Sequence, residues 1–285
     1  MKDPRRIGTV PDYPLNWSTL KIIAESPAHF LAAVLAEEQK DTDTLTIGSA
    51  LHCLALEPMA FPDRFAVWPT ASGQRRGSVW ADFKAAALAS GLSIIREADV
   101  ESVRAVADAI RSHSAVQTIL TSSATPSVER RIEWSETDDT GVVWHFHGRP
   151  DLVLGSTLVD IKTTVSVKPA RFGTQAASMY YHGQLAHYAQ GLLAATGVSV
   201  SAAYLIAAEK KDPYDVAVFQ VLPEDLRLGL SARAEMLSTL AACQATDTWP
   251  GRVPDIEPLR LPAWAYASDA ATPEDYDGGS DLDEN

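Results

Sequence analysis

From residue 128 onward the chain consists of short β-rich runs separated by turn residues, and this alternation restricts the fold more than any other feature. Residues 128–134, 142–149, 151–154 and 158–163 are rich in β-branched and aromatic side chains. Asp138-Asp139-Thr140-Gly141 and Gly155-Ser156 lie between them as turns. The pattern predicts an antiparallel meander. Upstream the chain reads as helical. Asn16 or Ser18 can cap a short helix through Ala24, and Ser26-Pro27 restarts a second through about Glu38. Residues 48–56 read as a buried helix, 78–89 as a helix stopped by Gly91, and 97 to about 120 as another. A helix over about 177–195, strands near 200–207 and 216–221, and a helix from 224 to about 245 complete an α+β plan with a central sheet.

Residues 1–15 form an N-terminal arm in this reading, 16–125 a mostly helical part and 126–265 the core of the same domain. Residues 266–285 hold seven Asp or Glu and no Lys or Arg, which predicts a solvated acidic tail. With 24 Lys and Arg against 37 Asp and Glu the net charge is −13, which argues against coating nucleic acid through bulk positive charge. Removing the seven tail acids leaves −6 for residues 1–265. Only Cys53 and Cys243 occur, so a disulfide framework, a four-cysteine zinc site and a cysteine-ligated iron–sulfur cluster are excluded within one chain, and a reducing cytoplasm is expected. Pro11, Asp12 and Pro14 stand where a signal peptide would be apolar, and Thr196-Gly197, Ser199 and Ser201 break the longest uncharged stretch, so neither secretion nor a membrane span is expected.

The chemistry concentrates around the turn at Gly155-Ser156. A two-residue hairpin there pairs 154 with 157, 153 with 158 and 152 with 159, which sets Asp151 opposite Asp160. Opposed side chains share a face with Cβ atoms about 4.5–5.5 Å apart. Two carboxylates so placed repel unless a cation lies between them, and a divalent ion such as Mg2+, with Mn2+ able to substitute, meets that need. Lys162 lies on the same face by the period of two. Asp, Asp and Lys around a divalent ion point to phosphodiester hydrolysis, in which the ion activates water and the lysine balances charge. An ordinary surface hairpin satisfies the same loose spacing.

Other residues extend this group. Gln184 and Tyr188 share a helix face and could hold a phosphate or the attacking water, or simply form the polar side of an ordinary helix. His52, in an otherwise apolar helix, is a competent third ligand or else a satisfied core histidine. Glu129 opens the first strand of the meander and could add a carboxylate, or could pair with Arg130 or Arg131. His145-x-His147 shares a strand face with Arg149, and polar lining of the sheet suits it better than zinc. Gln74-Arg75-Arg76-Gly77 could touch phosphates or form a solvated loop.

Arg149-Pro150-Asp151, Asp160-Ile161-Lys162-Thr163-Thr164 and Gln184-x-x-x-Tyr188 together resemble the PD-(D/E)xK nuclease superfamily, in particular its RecE (exonuclease VIII) branch. Ser18-Thr19-Leu20, Ser26-Pro27-Ala28, residues 47–52 with Leu56-Glu57-Pro58, Tyr181-His182-x-Gln184 and Leu261-Pro262-x-Trp264-Ala265 extend the resemblance over about residues 12–266. It implies a restriction-endonuclease-like core, with His52, Asp151, Asp160 and the Ile161 carbonyl as metal ligands. Lys162 is then the catalytic lysine, Gln184 and Tyr188 its supporting pair, and Glu129 a further acid. It also implies 5′ to 3′ digestion of linear double-stranded DNA to 3′ overhangs for phage-type recombination, a homo-oligomeric ring, as a tetramer, and a RecT-type annealing partner. Arg149, Arg75 and Arg76 are the expected DNA contacts. A non-catalytic DNA-end clamp and an endonuclease of the same superfamily are the alternatives.

Overall fold

Asn16 and Ser26 open the first two helices through their side chains. Asn16 Oδ1 accepts from the Thr19 amide at 2.9 Å ahead of α1 (Trp17–Leu20), and Ser26 Oγ accepts from the His29 amide at 3.2 Å ahead of α2 (Pro27–Leu35). Each oxygen satisfies a donor that lacks a partner within the helix. The structure is a computed structural model and describes residues 14–36, 43–69, 71, 74–121 and 123–262. Most of the expected N-terminal arm, Trp264-Ala265 and the acidic tail lie outside the described residues.

Next come α3 (Asp43–Leu56), α4 (Phe61–Arg64), β1 (Phe65–Trp68), α5 (Gly77–Ala89), β2 (Ser93–Arg96), α6 (Glu97–Ser112) and α7 (Ser114–Leu120). The single helix expected over 97–120 is two, because the backbone is extended at His113. β1 and β2 pair in parallel, an unexpected ribbon of four residues each. Runs so short show no clear period.

The remaining elements are β3 (Pro126–Val128), β4 (Ile132–Thr137), β5 (Val143–Gly148), β6 (Leu152–Leu154), β7 (Thr157–Thr164), α8 (Pro169–Ser178), α9 (Tyr181–Thr196), β8 (Ala202–Glu209), β9 (Val216–Val221) and α10 (Pro223–Thr246). The expected meander is divided between two sheets. β4 and β5 pair only with each other as strands, whereas the main sheet has the order β3-β6-β7-β8-β9. Glu129, with a left-handed φ of 44°, turns the chain between β3 and β4, and β5 stops before Pro150, which has no amide to donate. Within the main sheet β7 and β8 run parallel and the other neighbours antiparallel, so the sheet is mixed. Two helices, α8 and α9, replace the one expected over 177–195. Tyr180, with φ 55°, breaks the chain between them.

Alternation along the strands sends side chains into two cores. Leu158, Leu205 and Ala207 pack with Trp17, Leu185 and Leu240 from α1, α9 and α10. Val159, Ile161 and Ile206 pack with Leu51, Val103 and Ile110 from α3 and α6. The first layer depends on missing side chains. A Cβ on Gly183 would lie 2.4 Å from the Trp17 ring, and one on Gly191 2.6 Å from that of Trp134. On α10, a Cβ at Gly229 would lie 2.6 Å from the His182 carbonyl oxygen. Backbone cannot yield there as a side-chain tip can. Gly229→Ala is therefore expected to lower stability by about 1–3 kcal/mol through overpacking, measured by urea unfolding.

Candidate active site

The β6–β7 hairpin has the expected two-residue turn, with Gly155 at φ +59°, and pairs Leu152 with Val159, Val153 with Leu158 and Leu154 with Thr157. Continuing that register by one pair sets Asp151 opposite Asp160. Asp151 Oδ2 accepts from the Ile161 amide at 2.7 Å. The two aspartates are only 7% and 1% exposed. Lys162 Nζ lies 2.5 Å from Asp160 Oδ2, but neither oxygen of Asp160 has a hydrogen bond of acceptable geometry. Opposite charge holds this pair at close range, and the other Asp160 oxygen, Oδ1, is a buried acceptor without a hydrogen bond.

Two further elements reach Asp151. From α3, His52 places Nδ1 3.2 Å from Asp151 Oδ1 and 3.6 Å from Glu129 Oε1. Glu129 sits in the bend after β3 rather than in a strand, and its amide donates to the Asp151 carbonyl at 3.0 Å. Its basic partner is Arg64, at 3.3 Å, while Arg131 pairs with Glu133. His52, Glu129 and Asp151 offer ligand atoms all within 4.8 Å of one another. One imidazole and two carboxylates form a donor set suited to a divalent cation, and the unsatisfied Asp160 oxygens nearby add to the fit. Among the described residues no other such group occurs. Of the expected ligands, His52 and Asp151 belong to it, Asp160 faces Lys162, and Ile161 contributes its amide.

Electrostatics divides the acids. Burial opposes ionisation of Asp151, yet His52 and Lys162 outweigh it and hold the carboxyl below its ordinary range. Burial, against the pull of Lys162 and with the push of Asp151, raises Asp160 to about 6. For His52, burial is outweighed by Asp151 and Glu129, which push the imidazole up to about 10. Lys162 is likewise raised above its ordinary value, Asp160 and Asp151 overcoming its burial. A proton on His52 thus supplies the charge balance that a divalent cation would supply instead.

The helix pair lies alongside. Gln184 Nε2 donates to Tyr188 Oη at 3.0 Å. Burial, reinforced by Asp160, pushes the Tyr188 phenol up to about 12. Gly148 makes room for that ring, since a Cβ there would lie 2.9 Å from Tyr188 Cδ1 and Cε1. Lys162 Nζ also stands 5.0 Å above the Tyr181 ring. Burial first, and Lys162 second, lower the pKa of Lys21 beside it.

Sequence reasoning missed Arg64 and Lys21, whose spacing carries no signal. Tyr181, part of the Tyr181-His182-x-Gln184 motif, has no role that the spacing reveals. Arg149 is exposed at the end of β5, bordering a cavity with Glu129. Arg75 pairs with Asp43 at 2.6 Å and lies 5.4 Å over the Trp80 ring, while Arg76 is exposed ahead of α5. His145 Nδ1 lies 2.9 Å from Ser135 Oγ, and His147 Nε2 3.5 Å from Asn16 Nδ2.

A mixed sheet with helices on both faces, opposed Asp151 and Asp160, and Lys162 two residues on define a domain of the PD-(D/E)xK class. The family described as a PDDEXK-like domain of unknown function (DUF3799) matches residues 16–262, and the chain belongs to that family. Among solved structures, a candidate exonuclease from Eubacterium rectale has a TM-score of 0.57 at 13% identity, covering 90% of this chain and 94% of its own. That likeness is one of fold. An alkaline exonuclease (LHK-Exo) from Laribacter hongkongensis, at 13% identity over 48% of this chain and 68% of its own, reaches a TM-score of only 0.26 and carries no argument. No curated protein matches the chain. Among the described residues, no helix is long and apolar enough to cross a membrane.

Cation binding must displace the His52 proton, which is present below about pH 10. Mn2+ affinity, read by electron paramagnetic resonance, is therefore expected to rise up to about tenfold per pH unit between pH 6 and 9. His52→Ala removes a ligand together with that proton, so its residual Mn2+ binding should be weaker and should vary less with pH. Gly148→Ala, by displacing the Tyr188 ring, should reduce any activity of the site more than it reduces the unfolding midpoint.

Proposed function

We propose that the chain is a metal-dependent exodeoxyribonuclease that degrades linear double-stranded DNA. One observation carries the hydrolytic reading: His52, Glu129 and Asp151 converge within 4.8 Å beside Asp160 and Lys162. Asp151, His52 and Glu129 would hold the ion, Mg2+ or Mn2+, with Asp160 completing the acidic wall. When bound, such an ion polarises a phosphoryl oxygen and lowers the pKa of water.

The chain's own groups supply the rest. Lys162, kept cationic by Asp160 and Asp151, faces charge that develops on a non-bridging phosphoryl oxygen. Tyr188 stays protonated, and because its oxygen accepts from Gln184 its own O–H is free to donate to the substrate. Gln184 and Gly148 fix where that proton points. Removing the Lys162 charge leaves Asp160 without its partner and the phosphoryl oxygen without its counter-charge.

We read residues 16–265 as one nuclease unit. The RecE-type resemblance supports 5′ to 3′ polarity, 3′ overhangs for phage-type recombination, a ring of this chain such as a tetramer, and a RecT-type annealing partner. The two buried free cysteines support a cytoplasmic location.

Lys162→Ala is expected to reduce digestion of a 5′-labelled linear duplex by about 10²–10³-fold, with an unchanged circular dichroism spectrum. EDTA should stop the wild type, and covalently closed circular duplex should resist it. Cutting of the circle would identify an endonuclease. Binding of linear duplex without nucleotide release at any Mg2+ concentration would identify a clamp.

A further inference from the structure

Two cavities flank the acidic cluster and share one wall, the Arg149 side chain. The larger, of about 440 Å³, is bounded by Glu129, Arg64 and Arg149. The smaller, of about 330 Å³, is bounded by Tyr188, His147, Arg131 and Arg149, and is lined on one side by residues 16–19. Those residues are held in place by the backbone. The Leu15 amide donates to the His145 carbonyl at 2.8 Å, and the His147 amide to the Leu15 carbonyl at 2.9 Å. Arg149 thus stands between a cavity on the Glu129 side and one on the Tyr188 side.

The charge in the smaller cavity is positive and incompletely balanced. Arg149 has no ion-pair or hydrogen-bond partner among the described residues, and Arg131 has one exposed partner, Glu133. Burial first, then Arg131 and Arg149 against Glu133, pushes the His147 imidazole below its ordinary pKa. In a chain of net charge −13, two arginines lining one cavity beside the reactive hairpin form a local positive site suited to an anion.

We propose that this smaller cavity binds a phosphate of the DNA strand adjacent to the one being cleaved, with Arg149 and Arg131 as its donors and Arg149 turning the strand from the cluster into the cavity. The proposal rests on the nuclease reading for the identity of the strand. It assigns Arg149 and Arg131 to substrate positioning, with the acidic cluster and Lys162 left to the chemistry. The phosphate could be a strand's 5′-terminal group or an internal phosphodiester, since both present the same oxygens to a guanidinium.

Equilibrium binding of a short fluorescein-labelled duplex, followed by anisotropy on the full chain in EDTA, tests the site without any cleavage. Arg149→Ala and Arg131→Ala should each weaken binding about tenfold and lower the slope of log affinity against log salt by about 1. Arg104→Ala, an exposed arginine on α6, is the control for general charge. A loss confined to 5′-phosphorylated duplex assigns the terminal phosphate, and an equal loss with 5′-hydroxyl duplex assigns an internal one. Both arginines are exposed, so truncation leaves the core intact, and unchanged thermal unfolding verifies this. Affinity and salt slope of both variants and of Arg131→Ala/Arg149→Ala equal to those of the Arg104→Ala control would overturn the proposal. Wild-type protein that shows the arginine dependence yet releases no nucleotides in Mg2+ would overturn the nuclease reading instead.

Discussion

Two carboxylates are buried on one face of a hairpin, and much of the local structure serves to compensate them. Asp151 and Asp160 are held opposite each other by a two-residue turn and backbone ladder that allow no other register without moving every side chain to the wrong core. Isolated buried charges are costly. The compensation is split between a cation and a proton. Lys162 answers Asp160 within the strand, and His52 answers Asp151 from α3, more than seventy residues before the meander begins. Glu129 then adds a third carboxylate, which makes the same group attractive to a divalent ion.

The helical layer against this face is fixed by a second buried charge. Arg233 of α10 forms two bonds to Glu136 of β4, at 2.9 and 2.8 Å, and its Nε donates to His187 Nδ1 at 3.1 Å. Its guanidinium also lies 4.4 Å over the Phe146 ring. Burial and Arg233 hold His187 well below its ordinary pKa, so the imidazole stays neutral and accepts. The network ties the separate β4–β5 hairpin to α9 and α10. Because Gly148 ends β5 and Tyr188 lies on α9, the same tie sets the distance between Tyr188 and the aspartates.

Legibility followed the range of the interaction. The caps at Asn16 and Ser26, the turn at Gly155-Ser156 and the pairing of Gln184 with Tyr188 are local, so each could be read from residues within four or five positions. The division of the meander could not be read. It depends on the positive φ of Glu129, a strained value for a residue with a side chain, which tertiary packing around Asp151 sustains. The break at Tyr180 has the same character. Net charge misled for a related reason: a total of −13 averages over a surface on which Arg131 and Arg149 converge locally.

The sequence by itself determined the register of the reactive hairpin, and with it that Asp151, Asp160 and Lys162 share one face, because a two-residue turn and a period of two leave no freedom. Only the tertiary structure decided which other groups meet them. Glu129, expected in a strand, reaches Asp151 from a bend, and His52 reaches both of these acids from α3. The reason is that an ion pair between strand neighbours is set by spacing, whereas convergence of α3, the β3–β4 bend and β6 is set by how two hydrophobic cores pack on opposite faces of one sheet.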